Sequence, residues 1–373
     1  MTPLHGIRVL DFSTLLPGPL ASLILAEAGA EVIKVERVGR GEDMRAYQPQ
    51  VGGTGAGFVL LNRGKRSVAA DLTKIEDMQA IRELIPSVDI VIEQFRPGVM
   101  ARFGLGYESL AALNPKIIYC AITGYGQTGP KALSAGHDIN YAAETGLLNI
   151  TSGADGTPGL PPTLIADIGG GSYPAVINIL LALRQRDTIG QGCFIDISMT
   201  DNLFTFLFWG LAMGHATSKW PRPGQEQLTG GSPRYNIYRT ADSRYLAAGP
   251  LEEKFWQLMC DVIELPNNFR DDALNPIATI DAIAKIIETK SADYWEQKFS
   301  SVDACCSIVR SLEEAVRSIH FRSRGLFDRE VSIPGHVLPA LPTAVVATLR
   351  DQTRVKSAPL IGKDNQTILK TRG

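Results

Sequence analysis

The chain has 373 residues, of which 45% are hydrophobic and 20% charged, and its formal net charge is -2. This composition is typical of a soluble globular protein, and the length predicts two domains. The near-neutral charge argues against a general nucleic-acid-binding surface, so an anionic ligand would need a local cluster of basic residues. The sequence holds no uninterrupted apolar run of about 18 residues, so we predict no membrane-spanning segment.

Apolar strand patterns alternate with helical patterns along the first half of the chain. Residues 6–12 are predicted as a strand, 20–28 as a helix and 30–36 as a second strand. Such a unit predicts a parallel sheet and an α/β fold. Pro17-Gly18-Pro19 stands where a dinucleotide-binding protein would carry G-x-G-x-x-G, so that motif is not supported. Further strands are predicted at 67–72, 88–93, 116–122 and 193–197, and further helices at 75–85, 172–186 and 199–216.

A change of composition at residues 219–224 predicts a linker. Beyond it, a hairpin over 235–239 and 245–248 precedes mostly helical segments over 252–321. We therefore expect three parts. They are a large α/β domain at 1–218, a smaller α+β domain at 225–324, and a tail at 325–373 that returns to the large domain.

The cysteines bear on the cellular compartment and on metal binding. Their number is odd and their spacing is unlike that of a metal site: Cys120, Cys193, Cys260, Cys305 and Cys306. We predict reduced thiols and no metal centre. Met1–His5 lead directly into a strand pattern without a signal peptide, which favours the cytoplasm.

Two short segments each offer one candidate acid or base. His137 lies in a glycine-flanked loop, where it is either structural or able to move one proton in either direction. Asp167 precedes three glycines and the predicted helix at 172–186, where it is either a helix N-cap or a base or nucleophile. In the second interpretation the glycines let a substrate approach the backbone. Free N–H groups near Asp167–Gly169 would then hold an oxyanion.

The remaining polar candidates are acidic or basic. Glu252 begins a predicted helix, where a first-turn acidic residue stabilises the helix dipole. The basic residues of the first half form three groups near predicted strand ends, and they are either solvated surface charges or contacts of a phosphate-bearing ligand. The groups are Arg37 with Arg40, then Arg63, Lys65 and Arg66, and finally Arg96.

Together these segments resemble the class III CoA-transferase (CaiB/BaiF) superfamily, and within it the α-methylacyl-CoA racemases. The resemblance extends over most of the chain, and it is the ordered series of segments that makes it specific. The segments are Gly6–Pro19, Ala28–Arg37, Glu93–Val99, Thr123–Pro130, Ala135–Tyr141, Ala166–Gly171, Gly190–Gly192 and Gly230–Pro233.

The resemblance implies a Rossmann-like large domain and a small domain in an interlocked homodimer. An acyl-CoA would bind between the large domain of one subunit and the small domain of the other, as substrate and without a further cofactor. Nucleic acid and membrane are not expected as partners. The implied CoA-ester site has Arg37 and Arg96 at the phosphate and nucleotide part and His137 and Tyr141 around the thioester. Gly136 and Asp138 are the other implied CoA-binding residues.

The resemblance also implies two chemistries for Asp167. In the racemases this aspartate and the histidine matching His137 are bases on opposite faces of the α-carbon, and the proton transfer passes through an enolate. Glu252 of the second subunit would hold His137 in a useful tautomer. In the transferases the aspartate attacks the thioester carbonyl and forms covalent intermediates.

Two features favour a racemase of 2-methylacyl-CoA esters over a transferase. His137 is present, and Gly230-Gly231 is followed directly by Ser232-Pro233, without the longer glycine run of formyl-CoA-type transferases. Thr163 stands where racemases usually carry asparagine, and its hydroxyl cannot replace an amide, which bears on substrate preference. A CoA transferase is the main alternative, and a non-catalytic CoA-ester-binding protein is a third.

Overall fold

A parallel sheet lies at the centre of the computed structural model, which describes residues 1–151 and 157–369. Within these residues six strands form the sheet: β1 (Arg8–Asp11), β2 (Glu31–Glu36), β3 (Arg66–Ala69), β4 (Ile90–Glu93), β5 (Ile118–Thr123) and β6 (Phe194–Ser198). Their spatial order is β3-β2-β1-β4-β5-β6, and every neighbouring pair is parallel. This is the doubly wound order, and it confirms the predicted Rossmann-like α/β fold.

The strand order places a topological switch point between β1 and β4. The chain runs outward from β1 to β3 and then returns to start β4 on the other side of β1. All residues of β4 and β5 are buried, as expected for central strands of a parallel sheet that is covered on both faces. Ligands of such sheets bind beyond the carboxyl ends of the strands at the switch point, so this edge is where a site is expected.

Helices and short turns connect the strands. The helices are α1 (Pro17–Glu27), α2 (Ala56–Asn62), α3 (Ile75–Leu84), α4 (Val99–Arg102), α5 (Tyr107–Ala111), α6 (Asp138–Glu144), α7 (Leu147–Ile150), α8 (Tyr173–Ile189) and α9 (Met199–Leu203). A π-helical segment, Ala166–Ser172, leads into α8. Turns of 3-10 helix lie at Asp43–Ala46, Ile85–Ser87 and Phe204–Leu207, and a small ribbon pairs Gln50–Val51 with Thr54–Gly55.

Two predicted helices differ from the observed ones. The helix predicted at 199–216 is divided into α9, a 3-10 turn and α10 (Phe208–Thr217). The helix predicted at 172–186 begins earlier, at Ala166, so Asp167 lies inside its first turn and not ahead of it. Glycine has a low helix propensity, which is why the run Gly169–Gly171 did not predict helix; tertiary packing overrides that propensity here.

Contacts divide the chain into two compact units. The first contains residues 1–145, 163–206 and 319–369; the second contains 207–318 and the described part of 146–162. The second unit has an antiparallel sheet of β7 (Asn236–Arg239), β8 (Tyr245–Ala248) and β9 (Cys306–Ile308), and helices α10, α11 (Glu253–Val262), α12 (Pro276–Ile287), α13 (Ala292–Phe299) and α14 (Leu312–Arg317), with a 3-10 turn at Asn267–Phe269. Its core includes Trp256, Met259, Ile283 and Trp295. The predicted domain limits at 218 and 324 stay predictions.

The C-terminal segment packs on the first unit. It contains α15 (Ile319–Ser323), β10 (Glu330–Ile333), β11 (His336–Pro339), a 3-10 turn at Ala347–Leu349, β12 (Val355–Ser357) and α16 (Asn365–Ile368). The Asn365 side chain bonds the N–H and the carbonyl of Ala69 at 2.8 and 2.9 Å, and Asp364 pairs with Arg66. The segment thereby covers the edge strand β3. The last four residues of the predicted tail lie outside the described residues.

The absence of a membrane-spanning segment and the absence of a metal centre stay predictions. By length and composition alone, the continuous helix Ala166–Ile189 could cross a membrane, and half of its most apolar window is buried within the protein. The core helix of a soluble protein meets the same criterion, so the finding is weak. All five cysteines are free thiols, and the part of the chain that the structure describes holds no cluster of metal-ligating side chains.

Buried charges form one network at the carboxyl ends of β1 and β2. The Lys65 Nζ lies 3.3 Å from Asp11 Oδ2, and the Lys34 Nζ lies 2.5 Å from Glu42 Oε2 and 2.9 Å from the Ser13 carbonyl. The side chains of Asp11, Lys34 and Lys65 are fully buried. Burial alone would raise the pKa of Asp11, but the two ammonium groups and hydroxyl hydrogen bonds hold that pKa at about 2.

Removal of the Asp11 carboxylate should destabilise the fold strongly. In Asp11→Ala, Lys34 and Lys65 keep their buried charges with one carboxylate fewer, which costs about 3–5 kcal/mol. The matched control is Asp43→Ala, because Asp43 and its partner Arg37 are 49% and 46% exposed and such a pair contributes little. Urea unfolding at pH 7 compares the two variants, and equal stabilities would contradict the prediction.

The stability that the Asp11 carboxylate contributes should depend on pH. The folded-state pKa of Asp11, about 2, lies below the unfolded value of about 4. The carboxylate therefore stabilises the fold above pH 4, and this contribution is lost as the pH falls towards 2. The stability difference between the wild type and Asp11→Ala should shrink over that range.

Candidate active site

Two cavities open at the carboxyl edge of the sheet. The first has a volume of about 480 Å³ and is lined by residues that follow β1, β4 and β5, by the loop before α6, and by Asp167. The second, of about 620 Å³, is lined mainly by residues that follow β2 and β3. Thr14 and Phe95 line both cavities, so they form the wall between them. The cavities lie where the strand order places the expected site.

His137 directly precedes α6 and lines the first cavity. Its backbone N–H donates to Asn140 Oδ1 at 3.0 Å, and its carbonyl accepts from the Asn140 N–H at 2.8 Å. These reciprocal bonds fix the start of the helix. Since the residue is exposed at the cavity, its imidazole can exchange a proton with a bound molecule.

Asp167 lines the same cavity from the π-helical segment. Such segments are rare and frequently occur at functional sites. Burial raises the pKa of Asp167 to about 7, and the negative charge of Asp138 adds to the shift. A carboxyl group that titrates near 7 can accept or donate a proton at neutral pH.

Asp138 lies behind Asp167. It is 7% exposed, and its Oδ1 accepts the backbone N–H of Asp167 at 2.9 Å. The sequence analysis predicted Asp138 as a CoA-binding residue, which stays a prediction; in the structure its side chain accepts the backbone N–H of Asp167. An acidic residue directly after the candidate histidine was the only signal in the sequence, and spacing alone does not reveal its partner.

The glycines after Asp167 serve packing. A Cβ on Gly170 would lie 2.4 Å from the Met199 carbonyl oxygen, and one on Gly169 would lie 2.7 Å from the Phe206 ring. The space on the Cβ side of these glycines is therefore filled by the protein itself, and the expectation that they admit a substrate stays a prediction.

The predicted oxyanion donors are also mostly in use. The Asp167 N–H is bound by Asp138, and the Ile168 N–H donates to the Leu164 carbonyl at 3.0 Å. These two N–H groups cannot hold a ligand oxygen without losing those bonds. The expectation that they form an oxyanion site is therefore wrong for Asp167 and Ile168.

Tyr141 closes one wall of the first cavity. Its hydroxyl donates to the Gly136 carbonyl at 2.6 Å, and its ring meets the Tyr125 ring edge-on with centroids 5.3 Å apart. A Cβ on Gly136 or Gly124 would lie 2.6 or 2.4 Å from the Tyr141 ring, so both positions require glycine. Burial, together with nearby Asp167, raises the pKa of Tyr141 to about 12, so the phenol stays neutral.

The basic residues of the sequence analysis fall into different places. Arg96 lines the first cavity, and Arg37 and Arg40 line the second. The group of Arg63, Lys65 and Arg66 instead makes ion pairs with Glu27, Asp11, Glu31 and Asp364. That group stabilises the fold, and its interpretation as a phosphate contact is wrong.

Glu252 lies at the N-cap position of α11 in the second unit, and its carboxylate is exposed. Arg234 pairs with Glu253 at 2.8 Å and donates to the Leu251 carbonyl at 3.4 Å. Arg234 therefore contacts the backbone before Glu252 and the side chain after it. Its proposed role toward His137 stays a prediction.

Glu93 is a further titratable group that the sequence analysis did not single out. It ends β4, is 5% exposed, and accepts the Phe95 N–H at 2.6 Å, beside the wall between the cavities. Burial raises the pKa of Glu93 to about 7. A glutamate that closes the apolar run Ile90–Ile92 could have indicated a buried carboxyl group, although not its neighbours.

Comparisons with known proteins give relatives with two different reactions. The model of CoA-transferase family III matches residues 4–365. The chain is 34% identical over 381 residues to the α-methylacyl-CoA racemase of Mus musculus, covering 99% of this chain and 93% of that protein. It is 30% identical over 387 residues to the succinyl-CoA:glutarate CoA-transferase of Mus musculus, covering 99% and 86%. A crystal structure of a CaiB/BaiF family protein from Brucella suis superimposes with a TM-score of 0.85 at 27% identity, covering 98% of each chain.

Loss of the Tyr141 hydroxyl should loosen the loop before α6. In Tyr141→Phe the ring still packs, but the buried bond to the Gly136 carbonyl is lost, which costs about 0.5–1.5 kcal/mol. Hydrogen exchange of residues 134–137 should become faster. Tyr125→Phe is the control, because its hydroxyl bonds Glu144 at the surface; equal exchange rates in both variants would argue against this role of Tyr141.

Proposed function

Because the chain belongs to CoA-transferase family III, we propose that it is a racemase or epimerase of 2-methylacyl-CoA thioesters. The observation that carries the proposal is that an imidazole and a carboxyl group, His137 and Asp167, line one cavity at the switch point of the sheet. Two groups able to move a proton near neutral pH are what a proton transfer at a single carbon requires.

The two proton transfers of the proposed reaction take place between the substrate and these two residues. One residue takes the α-proton as a base, and the electron pair of the C–H bond moves into the thioester to give an enolate. The other residue then donates its proton to the opposite face of the same carbon. The two residues have exchanged protonation states after one turnover, and exchange with water or the reverse turnover restores them.

The enolate oxygen needs hydrogen-bond donors, since stabilising this charge is the hard part of the reaction. The N–H groups of Asp167 and Ile168 are occupied. The first N–H groups of a helix have no partner within the helix. We therefore place the oxygen at the start of α6, next to His137.

The CoA part of the substrate is proposed to bind in the second cavity. Arg37 and Arg40 line that cavity, and Arg96 lines the first cavity next to the shared Phe95. All three guanidinium groups suit the phosphate groups of CoA. The pantetheine chain would pass Thr14 and Phe95, which the two cavities share.

We further propose a cytoplasmic homodimer in which Glu252 of the second subunit orients His137. An apolar surface on the first unit supports a subunit contact, because large exposed apolar patches commonly mark protein interfaces. Its residues are Tyr173, Ile177, Leu180 and Leu181 on α8, with Phe204 and Phe206.

A CoA transferase is the second candidate, and relatives with transferase names match the chain at a similar identity. In that reaction Asp167 attacks the thioester carbonyl carbon and the CoA thiolate leaves, which gives a mixed anhydride. This reaction requires an acceptor acid and does not require His137.

His137→Ala should separate proton removal from inversion. Wild-type protein incubated in D₂O with one enantiomer of a 2-methylacyl-CoA should take up deuterium at the α-carbon and lose optical purity. In His137→Ala, loss of the base on one face should slow racemisation by about 10²–10⁴-fold. The enantiomer that faces Asp167 should still exchange without inversion, as followed by NMR.

The control is His215→Ala, which removes an exposed histidine of α10 and should racemise normally. Racemisation by His137→Ala at the wild-type rate would contradict the two-base assignment. Absence of exchange in the wild type, with CoA transfer once a carboxylic acid is added, would favour the transferase.

Arg96→Gln should weaken the binding of CoA. Loss of one charge-assisted hydrogen bond to a phosphate corresponds to at least about a tenfold rise in Kd. Isothermal titration with CoA measures the change, and the difference from the wild type should decrease at high salt. Arg317→Gln, an exposed arginine in the second unit, is the control; equal Kd values for both variants would exclude Arg96 from the CoA site.

A further inference from the structure

Asp138 connects the two candidate acid/base residues. It is the chain neighbour of His137 and the first residue of α6, and its carboxylate bonds the backbone of Asp167, 29 residues further along the chain. It is almost fully buried, and its side chain is engaged with the π-helical segment. The Asp138 carboxylate therefore acts on the reaction only through the residues that it contacts.

We propose that Asp138 is a positioning residue whose side chain holds the Asp167 backbone in place and whose negative charge acts directly on the Asp167 carboxyl group. The effect of Asp138 on catalysis rests on the proposed function. Its positioning of the Asp167 backbone is supported by the hydrogen bond of 2.9 Å and by the burial of the Asp138 carboxylate that accepts it.

The π-helical segment is held at three points. Asp138 accepts the Asp167 N–H, the Ser172 hydroxyl donates to the Pro17 carbonyl at 2.8 Å, and the Asn202 amide donates to the Gly170 carbonyl at 2.8 Å. Asp138 is the charged member of these three contacts. A neutral oxygen also accepts such a bond, although more weakly than a carboxylate does, so the charge adds an effect that holding the backbone does not require.

The groups around Asp167 leave Asp138 as the source of the electrostatic effect. Tyr141 is neutral at physiological pH, and α1 and α9 present Pro17 and Met199 to the segment. His137 and Arg96 line the same cavity and would favour the carboxylate form when charged. Burial and the Asp138 charge oppose that form, and they raise the pKa of Asp167 to about 7.

The charge thus keeps part of Asp167 protonated at neutral pH. A protonated fraction is required whenever Asp167 is the residue that donates the proton. Without Asp138, a smaller fraction of Asp167 would be protonated at pH 7, so fewer molecules could donate the proton.

Asp138→Asn separates charge from hydrogen bonding. The asparagine amide oxygen can still accept the Asp167 N–H, whereas the negative charge is lost. The midpoint at which Asp167 titrates should fall by about one pH unit. In the direction in which Asp167 is the base, the rise of kcat with pH should move to lower pH by the same amount. In the opposite direction the fall of kcat should also move to lower pH.

Two measurements on the full-length protein test this. One is the carboxyl ¹³C chemical shift of Asp167, assigned with Asp167→Asn, as a function of pH. The other is the pH profile of α-proton exchange in each direction. Asp201→Asn is the matched control, because it removes an acidic residue on α9 that does not bond the Asp167 backbone; neither readout should move in it.

The proposal is overturned if Asp138→Asn titrates like the wild type, or if Asp201→Asn shifts equally. A wild-type Asp167 that titrates near 4 would also overturn it. If Asp138→Asn does not fold, Asp138→Ser provides a smaller neutral acceptor, for which the same downward shift is expected. The NMR titration does not depend on activity. A shift without any α-proton exchange would therefore support the role of Asp138 while contradicting the racemase.

Discussion

The buried charges around Asp11 hold the loops that line both cavities. Asp11 accepts the Ser13 N–H at 2.9 Å, and Lys65 donates to the Pro19 carbonyl at 2.9 Å. These bonds fix the loop between β1 and α1 and the first turn of α1, which contribute Thr14, Leu15 and Pro17 to the first cavity. At the end of β2, Glu36 accepts two bonds from Arg45 at 2.6 and 2.7 Å, next to residues of the second cavity.

Such a network is not the most stable way to fill this space. Each charge loses its hydration on burial, and well-packed apolar residues often give equal or higher stability. An apolar cluster, however, offers no donor for the carbonyl groups of Ser13 and Pro19. We infer that the charges are used here to give the loop one conformation, since the cavities require defined backbone positions more than they require additional stability.

The sequence predicted the parts of the fold that depend on local pattern. The apolar runs that became β1, β2, β4 and β5 have no strong alternative, and parallel pairing follows from their alternation with helices. The start of the helix at Ala166 depends on contacts of Gly169–Gly171 with α1 and α9 that no local pattern contains. For this reason the segment around Asp167 was the least predictable part of the sheet edge.

Charged residues were predictable in type but not in role. Arg63 and Arg37 both belong to basic groups near strand ends, yet one is buried against Glu27 and the other lines a cavity. The difference arises from the carboxylate that each one meets: Arg63 pairs with Glu27, which is buried and distant in sequence, whereas Arg37 pairs at the surface with Asp43, six residues along the chain. Asp138 shows the same limitation, because its partner Asp167 is distant in sequence and is brought close only by packing.

The protonation of Asp167 bears on which of the two family reactions the site suits. A nucleophile that attacks a thioester works as the carboxylate, so a pKa near 7 removes a large part of the reactive form at neutral pH. A residue that must take a proton in one direction and return it in the other works best when both forms are populated. Burial and the Asp138 charge both move Asp167 towards the second condition. The other buried aspartate of this sheet edge, Asp11, lies beside two cations, Lys34 and Lys65, which hold its pKa at about 2. The two aspartates therefore differ in protonation at neutral pH, and the proposed proton transfer uses the mixed protonation of Asp167.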